Sequence, residues 1–312
     1  MLSSNIEKKE RKCGTVTIVG RPNVGKSTLL NALIGEKVSI VSNIPQTTRQ
    51  QIRGIYTDER GQIIFTDTPG LHLGGDRLDK FMNRSSLSTL QGVDVIIHLV
   101  DSSEHTGAEE QYVIGVLKTV TEPIIVGLNK VDFAKGRCIP EYIKLWEDLT
   151  GKPIAELTNL TLLPLSALKG TNVQKLLDMI FEKLPVAPLL YPEDVITDMP
   201  QGMAMADLIR EKLFHVMRDE IPHAIAVRIE SAQPKKGNVM HIRGLIMVDR
   251  DTQKEIVIGK KGEILKEVGT QARKDLEELL GQQVFLELYV KVEKNWRDSP
   301  SSLEEMGYIF ER

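Results

Sequence analysis

Thr15-Val16-Thr17-Ile18-Val19-Gly20-Arg21-Pro22-Asn23-Val24-Gly25-Lys26-Ser27-Thr28 is the stretch that decides the fold. An apolar run leads into the pattern G-x-x-x-x-G-K-[ST], and a helical pattern follows over residues 27–34. Strand, glycine loop and helix N-terminus in that order make a phosphate cradle. Glycines let backbone N–H groups turn inward without a Cβ clash, and the helix start adds its own N–H groups. Lys26 is placed to reach the β- and γ-phosphates, and Ser27 to set its hydroxyl on Mg²⁺. Gly20 through Thr28 are thus the expected contacts to a nucleoside triphosphate.

Working outward, apolar runs at 15–19, 62–66, 93–100, 123–128 and 162–165 alternate with helical patterns at 27–34, 78–90, 109–119, 141–149 and 173–184. That alternation predicts an α/β domain, a mostly parallel sheet covered by helices. Two strand ends then name the base. Asn129-Lys130-Val131-Asp132 ends one: a carboxylate at Asp132 accepts from both N1–H and N2–H of guanine, whereas adenine would leave it unpaired. Ser166-Ala167-Leu168 ends another and can offer a backbone N–H to guanine O6. A third strand ends in Asp67-Thr68-Pro69-Gly70, where Asp67 can hold Mg²⁺ through water and the Gly70 N–H can meet the γ-phosphate. All lie at strand ends, where open α/β sheets bind ligands.

These residues resemble the translation-factor-related class of P-loop GTPases, which implies GTP and GDP as ligands with Mg²⁺. In that class Pro45-Gln46-Thr47-Thr48-Arg49 matches the first switch, and Thr48 would complete the Mg²⁺ shell, with Thr47 the competing candidate. Position 71 carries leucine where Ras-like proteins carry a glutamine that orients the attacking water. Leucine cannot hydrogen-bond a water, so hydrolysis is expected to be slow in isolation. The expected catalytic parts are Asn23, Lys26, Thr48 and Gly70. Asn23 has two open readings: it shapes the loop, or it helps hold K⁺ beside the phosphates, as in relatives that use a monovalent cation. His72 reads as a solvated loop histidine and His98 as a satisfied interior one.

Four prolines between 185 and 200 mark a seam. The expected division is a GTPase domain at 13–185, a linker at 186–202 and a second domain at 203–312. Beyond the seam the pattern is helix, two strands, helices and a last strand, a smaller α+β domain. Ile258-Gly259-Lys260-Lys261-Gly262 opens its long helical run. This resembles the G-x-x-G loop of a type II KH domain, which clamps about four nucleotides. Ile256, Ile258 and Ile264 are expected to floor its groove. From 201 to 312, 18 Lys and Arg stand against 19 Asp and Glu, a balance of −1. Recognition should therefore lean on shape and base edges over bulk charge.

The whole chain carries −3 over 312 residues, with 41% apolar and 27% charged residues, which excludes disordered and fibrous classes. Two cysteines, Cys13 and Cys138, show no metal or disulfide spacing and fit a reducing compartment. GTPase motifs, seam, KH loop, the tract 272–281 and the tail 303–310 together resemble the bacterial Era family. That resemblance implies binding to the 3′ end of 16S ribosomal RNA and help in assembling the 30S subunit. Residues 1–12 are polar and no stretch approaches the ~20 apolar residues of a membrane span, so a cytoplasmic protein, and a monomer, is expected; some members of that family contact the inner membrane loosely. The alternative is a GTP-dependent signalling module whose second domain binds a protein.

Overall fold

The apolar runs of the first half become strands because they are buried on both faces. In the computed structural model, β4 (Val95–Asp101) and β5 (Ile124–Asn129) have every residue buried. The structure describes residues 10–42, 44, 47–133, 136–217, 221–235, 237–306 and 308. With β1 (Lys12–Val19), β2 (Ile52–Asp58), β3 (Gly61–Asp67) and β6 (Leu160–Pro164) they make one sheet, ordered β2-β3-β1-β4-β5-β6. All neighbours pair in parallel except β2, which runs antiparallel to β3. Strand β2 was not expected from sequence.

Helix α1 (Lys26–Ile34) packs on β2 and β3, and on α5 (Val173–Lys183). Helices α3 (Ala108–Leu117) and α4 (Ile139–Thr150) share a core with β4 and β5, in which Ile96, Val100, Val113, Trp146 and Leu71 are buried. Helix α2 (Arg77–Ser88) lies between β3 and β4 in sequence. The proline-rich seam forms no helix or regular strand, and it is held by residues of β1, β2 and β3. Cys13 N–H donates to Pro185 O, Ile55 N–H to Ile196 O, and the Gln62 side chain bonds the backbone of Leu190 and Tyr191.

Two compact units divide the chain. The first takes the residues up to Ser39, Gln51–Leu73 and Ser85–Asp198; the second takes Ile40–Gln50, Gly74–Arg84 and Met199–Arg312. The second unit holds α6 (Gln201–Val216), α7 (Ile221–Ala224), β7 (Ala226–Lys235), β8 (Val239–Val248), α8 (Asp251–Ile258), α9 (Glu263–Leu280), β9 (Gln283–Val292) and α10 (Pro300–Glu305). Its sheet runs β7-β8-β9, antiparallel then parallel. One core joins α6, α9 and the sheet through Ile209, Leu213, Ile246, Val268, Ala272 and Leu276. A second cluster gathers Ala226, Leu245 and Met247 with Trp296, Leu303 and Tyr308. Leu78 and Met82, from the segment Gly74–Arg84, belong to that second cluster.

Candidate nucleotide site and nucleic-acid groove

The phosphate loop runs between β1 and α1. Gly25 caps α1 in the left-handed region, at φ 99°. A Cβ there would sit 2.5 Å from Asn129 Nδ2, so the close approach requires glycine. Lys26 is 6% exposed and donates from Nζ to the carbonyls of Gly20 and Arg21, at 3.1 and 2.9 Å. Burial pushes its ammonium down to about 8, with Asp67 opposing.

Asn129 ties three segments together. Its Nδ2 donates to Val24 O at 2.7 Å, and its Oδ1 accepts from Ala167 N–H at 2.9 Å. Lys130 donates to Asn23 O at 2.9 Å and pairs with Asp101 at 2.6 Å. Ser166 and Ala167 are buried, while Asp132 and Leu168 are exposed and Val131 is half-buried. The segment 20–27 and the two loops expected to read the base are thus one connected structure within the first unit.

Ser27 Oγ donates to Asp67 Oδ2 at 2.7 Å, and Ser39 Oγ to the same oxygen at 3.1 Å. An all-oxygen set with a carboxylate is the hard donor set that Mg²⁺ takes, so these residues fit that ion. Thr68 Oγ1 donates to Ile18 O, and Ser86 Oγ to Pro69 O. Gly70 lies against the loop: a Cβ on it would be 2.7 Å from Pro22 N. Leu71 N–H donates to Gly20 O at 3.1 Å, and the Leu71 side chain is fully buried in the core.

His72 departs from expectation. It is 6% exposed, and its Nδ1 lies 2.8 Å from Gly70 O, to which it donates. Anchoring by that carbonyl, rather than water, satisfies it. His98 is interior as expected but only half satisfied: its Nε2 lies 2.7 Å from Glu110 Oε1, while its buried Nδ1 has no hydrogen-bond partner among the described residues. Pro45 and Gln46 lie outside the described residues. Thr47 and Thr48 are buried and group with the second unit, whereas Ser27 and Asp67 group with the first. Thr47 Oγ1 donates to Ile44 O. Sequence reasoning missed Ser39 and Asp101; Asp101 ends a strand, which was the available signal.

In the second unit, Ile258 and Gly259 end α8, and Lys260–Gly262 form a short 3-10 turn before α9. Lys261 and Gly262 both have left-handed backbone, φ 55° and 79°. Both lysines are exposed. Beside the turn, α9 and β9 enclose a groove of about 510 Å³ lined by Leu265, Lys266, Arg273, Phe285, Leu286 and Leu288, among others. The expected Ile256, Ile258 and Ile264 are not among its lining residues. Ile256 is 47% exposed, and Ile258 and Ile264 pack on the core, as do Leu265, Leu286 and Leu288 of the groove. Residues Leu286 and Leu288 face the groove through strand alternation, a placement that depends on pairing β9 beside β8.

Residues 15–130 match the family described as 50S ribosome-binding GTPase, and residues 220–297 match the KH domain. The chain is similar to GTPase Era of Halothermothrix orenii, 42% identical over 297 residues, covering 95% of this chain and 98% of that one. GTPase Era of Heliobacterium modesticaldum is 44% identical over 305 residues, at 95% and 97% coverage. Among solved structures, Era in complex with MgGDPNP and nucleotides 1506–1542 of 16S ribosomal RNA superposes with a TM-score of 0.89. It is 39% identical and covers 96% of this chain and 100% of its own. An Aquifex aeolicus Era variant bound to GDP and AlF₄⁻ gives 0.88 at 40% identity, with 96% and 100% coverage.

Proposed function

Because the chain belongs to the Era family of GTPases, we propose that it is a GTP-hydrolysing switch that holds the 3′ end of 16S ribosomal RNA and assists 30S assembly. The observation that supports this most is the linkage through Asn129, which joins the phosphate loop to the loop carrying Ala167. A chain built only to hold a phosphate has no need of that linkage.

In this reading the N–H groups of the loop and Lys26 hold the phosphates, and Asp132 reads guanine. Ser27 and Asp67 would hold Mg²⁺, which draws negative charge off the β- and γ-phosphate oxygens. Thr48 is proposed to join them in the GTP state. Gly70, packed on Pro22, offers its N–H toward the γ-phosphate. Leu71 is buried and apolar, so no side chain at that position orients the attacking water. Slow unassisted turnover follows. Turnover compared in K⁺ and Na⁺ decides the role of Asn23: equal rates mean that it only shapes the loop.

The RNA reading rests on the turn Lys260–Gly262 and the groove beside it. Its glycines permit close approach of a nucleotide backbone, and Lys266 and Arg273 supply local charge. Coupling between the two functions is supported by the second unit's own contacts. Arg49 is 1% exposed and donates to Ile225 O at 2.6 Å and Pro222 O at 3.2 Å. Arg210 donates to Thr47 O at 3.0 Å, and Arg297 pairs with Asp76 at 2.5 Å. The segments flanking the switch residues are thus anchored within the unit that carries the proposed RNA groove. Crosslinking the full chain to total RNA in GTP- and GDP-bound forms tests the proposal. Contacts at the 16S 3′ end support it, and their absence in both forms sinks it.

A further inference from the structure

Arg21 follows the glycine that opens the phosphate loop, and its two ends do different work. Its carbonyl accepts from Lys26 Nζ at 2.9 Å. Its guanidinium lies 3.4 Å from Glu110 Oε2, 3.0 Å from Glu104 and 3.3 Å from the Tyr142 hydroxyl. Glu110 stands in the first turn of α3 and is fully buried. Its other oxygen is 2.7 Å from Nε2 of His98 on β4, which is fully buried too. The same strand supplies Leu99, whose carbonyl would lie 2.3 Å from a Cβ at Gly20.

A buried carboxylate is tolerated while it is paired, and stranding it is strongly unfavourable. A loop that drifts from this position leaves Glu110 with His98 alone. The place of Arg21 is therefore set from behind by Glu110 and Tyr142 of the core, with the exposed Glu104 beside them. Because the Arg21 carbonyl holds Lys26, the lysine inherits that placement.

We propose that Glu110, itself held by His98, is a positioning residue for the phosphate loop, acting through Arg21 to keep Lys26 in place for the diphosphate of a guanine nucleotide. This rests on the reading that the loop binds GTP and GDP. Long-range electrostatics alone would give the opposite effect: a buried negative charge near a polyanion site repels the ligand. The sign of a neutralising substitution therefore separates positioning from mere charge.

The test is the Kd of a fluorescent GDP analogue for the full chain, with Glu110→Gln, Arg21→Ala and the double variant. Glu110→Gln keeps the shape and removes the charge. Positioning predicts about tenfold weaker binding for either single variant, and no further loss in the double, because both break one link. Arg21→Lys, which keeps a cation within reach of Glu110, should recover part of the affinity. GDP bound by Glu110→Gln as tightly as by the wild type, or more tightly, overturns the proposal, as does additivity of the two losses. If Glu110→Gln does not fold, unchanged affinity in Arg21→Ala overturns it equally, since that side chain is partly exposed. A wild-type chain that binds no GDP overturns the nucleotide reading, and this inference with it.

Discussion

Asn129 uses one amide twice, as donor to Val24 O and as acceptor from Ala167 N–H. Truncation to alanine leaves both buried backbone groups without that partner, at roughly 1–3 kcal/mol each. Asn129→Ala should therefore lower the urea midpoint and weaken GDP together; a variant of wild-type stability would show that these bonds contribute little. Asp132 can be tested by chemistry alone. Xanthine carries a carbonyl where guanine carries its C2 amino group, so an amide at 132 matches xanthine, donating to that oxygen while accepting N1–H. Asp132→Asn should prefer XTP over GTP in a competition assay, and retained preference for GTP would refute the base-reading role. The residues proposed to hold phosphate and base can be named from sequence because such chemistry fixes their spacing, and the structure brings their loops together. Ser39 was not: its approach to Asp67 depends on Asn31 holding the backbone of Val38 and Ser39, which no motif encodes.

Strand β2 shows why an element can escape a sequence reading. Gly54 interrupts its apolar pattern, and the glycine is there because a Cβ would meet Leu30 at 2.7 Å on the overlying α1. The need to seat a helix removed the signal that would have marked the strand. The long helix α9 was plain from its periodicity, but the groove beside it was not, because its second wall comes from β9. Within the turn, Gly262 has φ 79° and open space where a Cβ would go. Gly262→Asp should thus fold, with a penalty of about 1 kcal/mol for the left-handed backbone. It should lose RNA in a filter assay, because a carboxylate would stand beside phosphate. Unimpaired RNA binding would place the RNA surface elsewhere. Gly259 is different: a Cβ would strike Ile264 at 2.6 Å, so Gly259→Ala should destabilise the second unit itself.

At the scale of the molecule, the division into units does not follow the order of the chain. Segments Ile40–Gln50 and Gly74–Arg84 group with residues more than a hundred positions later. A boundary read from prolines could not find this, since the anchoring groups are Arg49 to carbonyls at 222–225 and Arg297 to Asp76. The Arg49 guanidinium is buried, and burial pushes it down from its ordinary value. Because Arg49 ties the segment beside Thr48 to the carbonyls of Pro222 and Ile225, Arg49→Ala should abolish any dependence of RNA affinity on the bound nucleotide while leaving GDP affinity intact. The central claim is that one chain couples a GTP site to an RNA site. Its most direct test is the affinity of the full chain for a 16S 3′-end oligonucleotide, with Mg²⁺ and either a non-hydrolysable GTP analogue or GDP. The account predicts a difference of at least about fivefold between the two states. Equal affinities would contradict it.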